Sequence, residues 1–103
     1  MNLSQAVKDR ISELMEITFD EKSRRTDHVY ARLIFIKYYT ELGFSTTRIV
    51  ELLNKKHSTI IHCKKVFIRE YETSKYFRAI YDEFARVPIF DYSGTKTQEQ
   101  NYF

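Results

Sequence analysis

Residues 29–42 (VYARLIFIKYYTEL) are apolar on nearly every side of a helix, and this stretch constrains the fold more than any other. A helix that is apolar all round has to be covered by other elements on every side. The stretch therefore predicts a central helix. It is expected to be capped by Thr26 or Asp27, to continue to about Leu42 and to stop at Gly43, a residue suited to a left-handed C-cap.

Four other segments repeat apolar residues every three to four positions, which is typical of amphipathic helices. These segments are residues 3–17, 45–54, about 56–72, and 76–87, the last of which ends before Pro88. Two glycines and one proline are too few for a turn-rich β-sandwich. The sequence therefore predicts an all-α, five-helix bundle over residues 1–87. Residues 88–103 are polar and aperiodic apart from a few aromatics, which predicts a flexible tail.

Several classes of protein are disfavoured by the sequence. The lone Cys63 excludes an internal disulfide, and no apolar run approaches the roughly 20 residues of a membrane span, so we expect a cytoplasmic protein. His57 and His62 are five residues apart and diverge on a helix, which disfavours a metal site. No Gly-rich phosphate loop and no HExxH motif is present. We therefore expect neither catalysis nor a cofactor.

Positive charge is concentrated in the middle of the chain. Residues 22–69 contain eleven Lys and Arg against three acidic residues, although the whole chain carries a net charge of only +3. A basic middle within a mildly acidic frame indicates contact with a polyanion through one face. The alternative is a set of solvated helix faces, which composition alone leaves open.

Residues 45–72 have the pattern of a helix-turn-helix: a short helix capped by Ser45, a tight connection, and a helix that starts with small polar residues. In such a unit the first helix lies across the DNA backbone, and the second presents its amino end to the major groove. On the second helix, one polar and basic stripe consists of Ser58, His62, Lys65 and Arg69. The opposite stripe, predicted to face the core, consists of Ile60, Phe67 and Tyr71, with Ile61 and Ile68 beside them.

Residues 56–63 (KHSTIIHC) resemble a known signature. The C-terminal DNA-binding domain, domain IV, of the bacterial replication initiator DnaA has the pattern Arg-Asp-His-Thr-Thr-Val-(Leu/Ile)-His-Ala. The similarity extends without a gap to Ser45, to Arg32 and to the basic residues 22–25 (KSRR), and it covers about residues 3–86. It implies a Trp-repressor-like helical domain that binds double-stranded DNA.

The resemblance also implies roles for individual residues. His57 and Ser58 would contact bases in the major groove, with apolar contact to thymine methyl groups. Thr59 and His62 would bind phosphates, and Arg24 would enter the adjacent minor groove beside Arg25. Together with the basic and polar residues nearby, the predicted DNA-binding set is Arg24, Arg25, Arg32, Ser45, Lys55, Lys56, His57, Ser58, Thr59, His62 and Lys65.

Lys56 departs from the family pattern, which has Asp at this position. An Asp accepts hydrogen bonds from cytosine amino groups, whereas a Lys donates to guanine O6 and N7 or to a phosphate. A good base contact provides about 1–3 kcal/mol of discrimination, so this exchange alone could change the preferred DNA site. A plain phosphate contact by Lys56 is the equal alternative.

No Walker motif is present, so the chain lacks the ATPase signature of an initiator. We therefore expect a stand-alone, nucleoid-associated DNA-binding protein that acts as a transcriptional regulator or a replication accessory. The alternative is a protein–protein adaptor of the replication machinery that uses the helical body or the tail. Residues 98–103 (QEQNYF) faintly resemble peptides that dock on the replication sliding clamp, but they lack the central aliphatic residue. The sequence leaves the oligomeric state open.

Overall fold

A computed structural model describes residues 3–19 and 25–86, and these form five helices. The helices are α1 (Leu3–Met15), α2 (Thr26–Glu41), α3 (Thr46–Leu53), α4 (His57–Thr73) and α5 (Lys75–Arg86). No strand occurs in these ranges, so the predicted all-α fold is confirmed. None of these helices has the length and apolarity needed to cross a membrane. The predicted tail, residues 88–103, lies outside the described residues.

Helix α2 occupies the centre of the bundle, as its sequence predicts. Its buried side chains are Ala31, Leu33, Ile34, Phe35, Ile36 and Tyr39, which point in several directions around the helix. α1, α3 and α4 all pack against it. Phe19, before α2, also packs on it, since its ring lies 5.8 Å from the Phe35 ring. Burial of these apolar side chains stabilises the bundle, and the aromatic rings of Phe35 and Tyr39 contribute the largest individual surfaces.

Contacts of α2 with its neighbours define the direction of each helix. α5 runs parallel to α2, because Phe77 packs on Tyr30 (ring centroids 4.7 Å apart) and Phe84 packs on Tyr38 (5.6 Å). α4 runs antiparallel to α2. Its Glu70 accepts a 2.8 Å hydrogen bond from the hydroxyl of Tyr30, near the start of α2. The amino end of α4 is therefore directed toward the carboxyl end of α2.

The helix ends agree with the sequence in part. Gly43 has a φ of +95°, and the amide of Phe44 donates to the carbonyl of Tyr39 at 3.0 Å, so the predicted left-handed stop of α2 is confirmed. The predicted cap of α2 is wrong: Arg25 occupies the N-cap position and makes no side-chain capping bond. α1 ends two residues earlier than predicted, because Glu16 adopts a left-handed conformation with a φ of 57°.

Candidate nucleic-acid interface

The α3–α4 unit is defined by two precise helix ends. The hydroxyl of Ser45 accepts a 3.1 Å hydrogen bond from the amide of Arg48, so the predicted N-cap of α3 is confirmed. Asn54 ends α3 in the left-handed region, with a φ of 54° and a ψ of 47°. Asn is among the few residues that tolerate this conformation, and it lets the chain reverse within a short connection. Residues 54–56 alone separate the two helices.

The amino end of α4 is exposed to solvent. Lys56 is its N-cap residue, in an extended conformation, and its side chain provides no capping hydrogen bond. Lys56, His57 and Ser58 are all exposed. The first amides of a helix have no acceptor within the helix, and the helix dipole places partial positive charge there. This end of α4 can therefore donate hydrogen bonds to an anion or to acceptors on a base edge.

The exposed face of α4 carries the predicted polar stripe. Ser58, His62, Lys65 and Arg69 are all exposed and follow one another at helical spacing. Arg69 lies 3.5 Å from the carboxylate of Glu70, so part of its charge is compensated. His62 and Lys65 in the first half of the helix provide the donors and the positive charge that lie nearest the amino end.

The prediction that Ile61 and Ile68 face the core is wrong. Ile61 is 40% exposed and Ile68 is 59% exposed, whereas Ile60 and Phe67 are buried. Successive residues of a helix are rotated by about 100°, so Ile61 and Ile68 lie at the edge of the buried arc rather than within it. Ile61 therefore stands on the exposed face of α4, one turn from His57 and one turn from Lys65.

Arg32 and Lys55, two of the predicted DNA-binding residues, lie near Cys63, on the half-buried side of α4. Burial raises the pKa of the Cys63 thiol, while the positive charges of Arg32 and Lys55 act to lower it. Arg32 belongs to α2 and Lys55 to the α3–α4 connection, so the fold brings charges from two elements to one side of α4. Thr59, one turn before Cys63, is half-buried on this same side.

Lys64 contributes a contact that the sequence did not predict. Its Nζ donates a 2.9 Å hydrogen bond to Oγ1 of Thr46, in the first turn of α3. This bond links the first turn of α3 to α4, so the ammonium group of Lys64 is engaged within the protein. A helical wheel would have shown Lys64 next to the buried stripe, but it could not show that the partner is Thr46.

Other arginines have defined places. Arg25 is exposed at the start of α2, and Arg24 lies outside the described residues. Arg78 donates hydrogen bonds to the backbone carbonyls of Tyr71 (2.9 Å) and Glu72 (3.0 Å), and it therefore caps the carboxyl end of α4. Arg86 forms a hydrogen-bonded ion pair with Glu83 at the far end of α5.

Comparison with protein-family models, with curated proteins and with solved structures gave no match for this chain. The likeness to DnaA domain IV therefore depends on the residues quoted above.

Proposed function

We propose that this protein binds double-stranded DNA, with α3 and α4 acting as a helix-turn-helix and the amino end of α4 entering the major groove. The observation that carries the proposal is the exposed, uncapped start of α4, where Lys56, His57 and Ser58 are together accessible. A recognition helix needs its amino end free of other packing, because that end approaches the base edges.

The charge around this end supports a polyanionic ligand. Residues 45–69 contain six Lys and Arg and one acidic residue, Glu51. The carboxylate of Glu51 already lies 2.9 Å from Arg48 within α3, so it opposes the approach of a phosphate only weakly. Arg32 and Lys55 add positive charge from the side of α4 at Cys63. Phosphate contacts of this kind provide affinity and orientation but no sequence preference.

The exposed face of α4 supplies groups that can discriminate bases. Ser58 and His62 can donate or accept hydrogen bonds, and Lys56 can donate to guanine O6 and N7 or to a phosphate. Ile61 offers an apolar contact for the methyl group of thymine. This mixture of polar and apolar groups on one exposed face is more than phosphate binding requires, and it favours a sequence-specific interaction.

The resemblance to DnaA domain IV supports the same function and adds a biological setting. A Trp-repressor-like domain without an ATPase motif fits a cytoplasmic, nucleoid-associated protein that regulates transcription or assists replication at initiator-type sites. Lys56 stands where the DnaA pattern has Asp, so the preferred site would differ from that of DnaA if Lys56 contacts a base, whereas a phosphate contact by Lys56 would leave the preference to the other residues.

The proposal is tested by selecting bound fragments from sheared genomic duplex with the purified protein, followed by sequencing. The wild-type protein should enrich one sequence motif. The double change His57→Ala, Ser58→Ala should abolish this enrichment and leave weak, salt-sensitive binding, because base contacts specify the site and phosphate contacts do not.

A matched control is the double change Glu72→Ala, Lys75→Ala, which also removes two exposed side chains, but where α4 ends and α5 begins. The control protein should select the wild-type motif. Persistence of the motif in the His57, Ser58 variant, or a wild-type protein without any binding to duplex, would refute the assignment.

A further inference from the structure

A groove between α2 and α4 has no role in the proposed DNA contact. Its floor is formed by the buried residues Leu33, Ile36 and Phe67, and its other lining residues are Lys37, Thr40, Lys64 and the exposed Ile68. The groove has a volume of about 180 Å³. Pockets for small molecules and cofactors usually enclose about 300–1,000 Å³, so this groove is suited to one bulky side chain rather than to a cofactor.

The positive charges of Lys37 and Lys64 indicate that a ligand of this groove should carry a negative group next to its bulky side chain. The ammonium group of Lys64 donates a hydrogen bond to the neutral hydroxyl of Thr46. No carboxylate forms an ion pair with Lys64 within the described residues. Lys37 lies over the ring of Phe67, 5.5 Å from its centroid, and 3.6 Å from Glu41 in a partly exposed pair. A peptide with a large apolar side chain next to a carboxylate would therefore complement both the floor and these lysines.

Helix α5 ends close to this groove. α5 runs parallel to α2, with Tyr76 beside Asp27 at its start and Phe84 beside Tyr38 near its end. Arg86, the last residue of α5, is thus level with about residue 40 of α2, and Thr40 lines the groove. Tyr81 of α5 also packs on Phe67, which lines the groove, with ring centroids 4.9 Å apart. The seventeen residues that follow, 87–103, start from this point.

Residues 88–92 combine large apolar side chains with a carboxylate, which complements the apolar floor and the lysines of the groove. Residues 88–92 (PIFDY) place Ile89 and Phe90 directly before Asp91. The step from Arg86 to Phe90 is four residues, which span at most about 14 Å in extended form. Packed helices have axes about 8–10 Å apart, so the segment is long enough to reach the groove from the end of α5.

We propose that the groove between α2 and α4 binds residues 88–92 of the same chain, with Phe90 on the apolar floor and Asp91 between Lys37 and Lys64. The short tether favours this occupant, because a linked segment has an effective concentration in the millimolar range. A contact too weak to hold two separate molecules together is therefore strong enough to hold this linked segment in the groove. Docking would cover Ile68, which is otherwise 59% exposed.

The proposal is tested by methyl NMR of the full-length protein, with the δ-methyl groups of Ile36 and Ile68 as reporters. A docked Phe90 ring adds its own ring-current shift to these signals, so Phe90→Ala should move both of them by removing that contribution, while the shift from Phe67 remains. Asp91→Lys should cause the same change, since it replaces attraction to Lys37 and Lys64 by repulsion. Phe103→Ala, an equal loss of an aromatic ring at the far end of the segment, should leave both signals in place.

Dilution of the wild-type protein distinguishes docking within one chain from docking between copies. Under the proposal the two methyl signals keep their positions over a hundredfold change in concentration. Signals that move on dilution would overturn it in favour of exchange between two copies. Signals that are unchanged in both Phe90→Ala and Asp91→Lys would overturn it outright, leaving the groove to another protein. All variants lie outside α1–α5, so loss of folding does not confuse the result.

Discussion

The salt dependence of DNA binding provides a quantitative test of the proposed interface. The predicted set contains six positively charged residues, namely Arg24, Arg25, Arg32, Lys55, Lys56 and Lys65. If each neutralises one phosphate, a plot of log K against log salt should have a slope of about −5.4, from about −0.9 per contact. Between 50 and 200 mM salt the affinity should then fall by about 2,000-fold. Lys65→Gln removes one contact, so the slope should become about −4.5 and the fall about 500-fold.

The assay is fluorescence anisotropy with a labelled duplex at five or more salt concentrations. Arg86→Gln serves as the matched control, because it also removes one exposed positive charge, but from an ion pair with Glu83 at the far end of α5. Its slope should equal that of the wild-type protein. A wild-type slope shallower than about −2, or the same change in slope for both variants, would show that the exposed face of α4 does not contact the phosphates.

Three further predictions concern stability and the tail. Ser45→Ala should lower the free energy of unfolding by about 0.5–2 kcal/mol in urea titrations, because it removes the acceptor of the Arg48 amide, whereas Thr47→Ala on the same exposed turn should have little effect. Burial raises the pKa of Tyr39 to about 12, so its phenol is more acidic in the unfolded chain than in the folded protein. The stability that the neutral phenol provides is complete below pH about 10 and is lost as the pH rises toward about 12. The stability of Tyr39→Phe, measured by unfolding curves at several pH values, should therefore lack this part of the decline. An equal decline in both proteins would contradict the assignment. Deletion of residues 88–103 should leave the dissociation constant for duplex DNA unchanged in the anisotropy assay, and a large loss of affinity would contradict this. Under the adaptor hypothesis the same deletion should abolish capture of the protein partner.

Much of the fold was accessible from the sequence, because apolar spacing and helix-stop residues act locally. The apolar stretch of α2 predicted its central position, and Gly43 and Ser45 predicted the end of one helix and the start of the next. The errors have equally local causes. The start of α2 was misplaced because Thr26 and Asp27 are good capping residues, yet the helix begins one residue earlier and uses neither side chain as a cap.

The candidate site was less accessible, because its geometry depends on contacts between distant residues. Which side of α4 is buried is determined by α2, α3 and α5 together, and the misplacement of Ile61 and Ile68 resulted from treating every isoleucine as core. The hydrogen bond between Lys64 and Thr46 joins residues eighteen positions apart. The approach of Arg32 and Lys55 to Cys63 likewise depends on how α2 meets the α3–α4 connection.

The buried residues of α4 determine which of its side chains would be accessible to DNA under the proposed function. Ile60 is fully buried in the first turn, so its position fixes the rotation of the helix about its own axis. Because neighbours on a helix are rotated by about 100°, burial of Ile60 forces Ile61 outward and leaves Ser58 and His62 accessible. Lys64, one turn further along α4, links this part of the helix to α3 through Thr46. Sequence selectivity in this protein would thus depend on a core isoleucine and a lysine that touch no base, as well as on the residues that do.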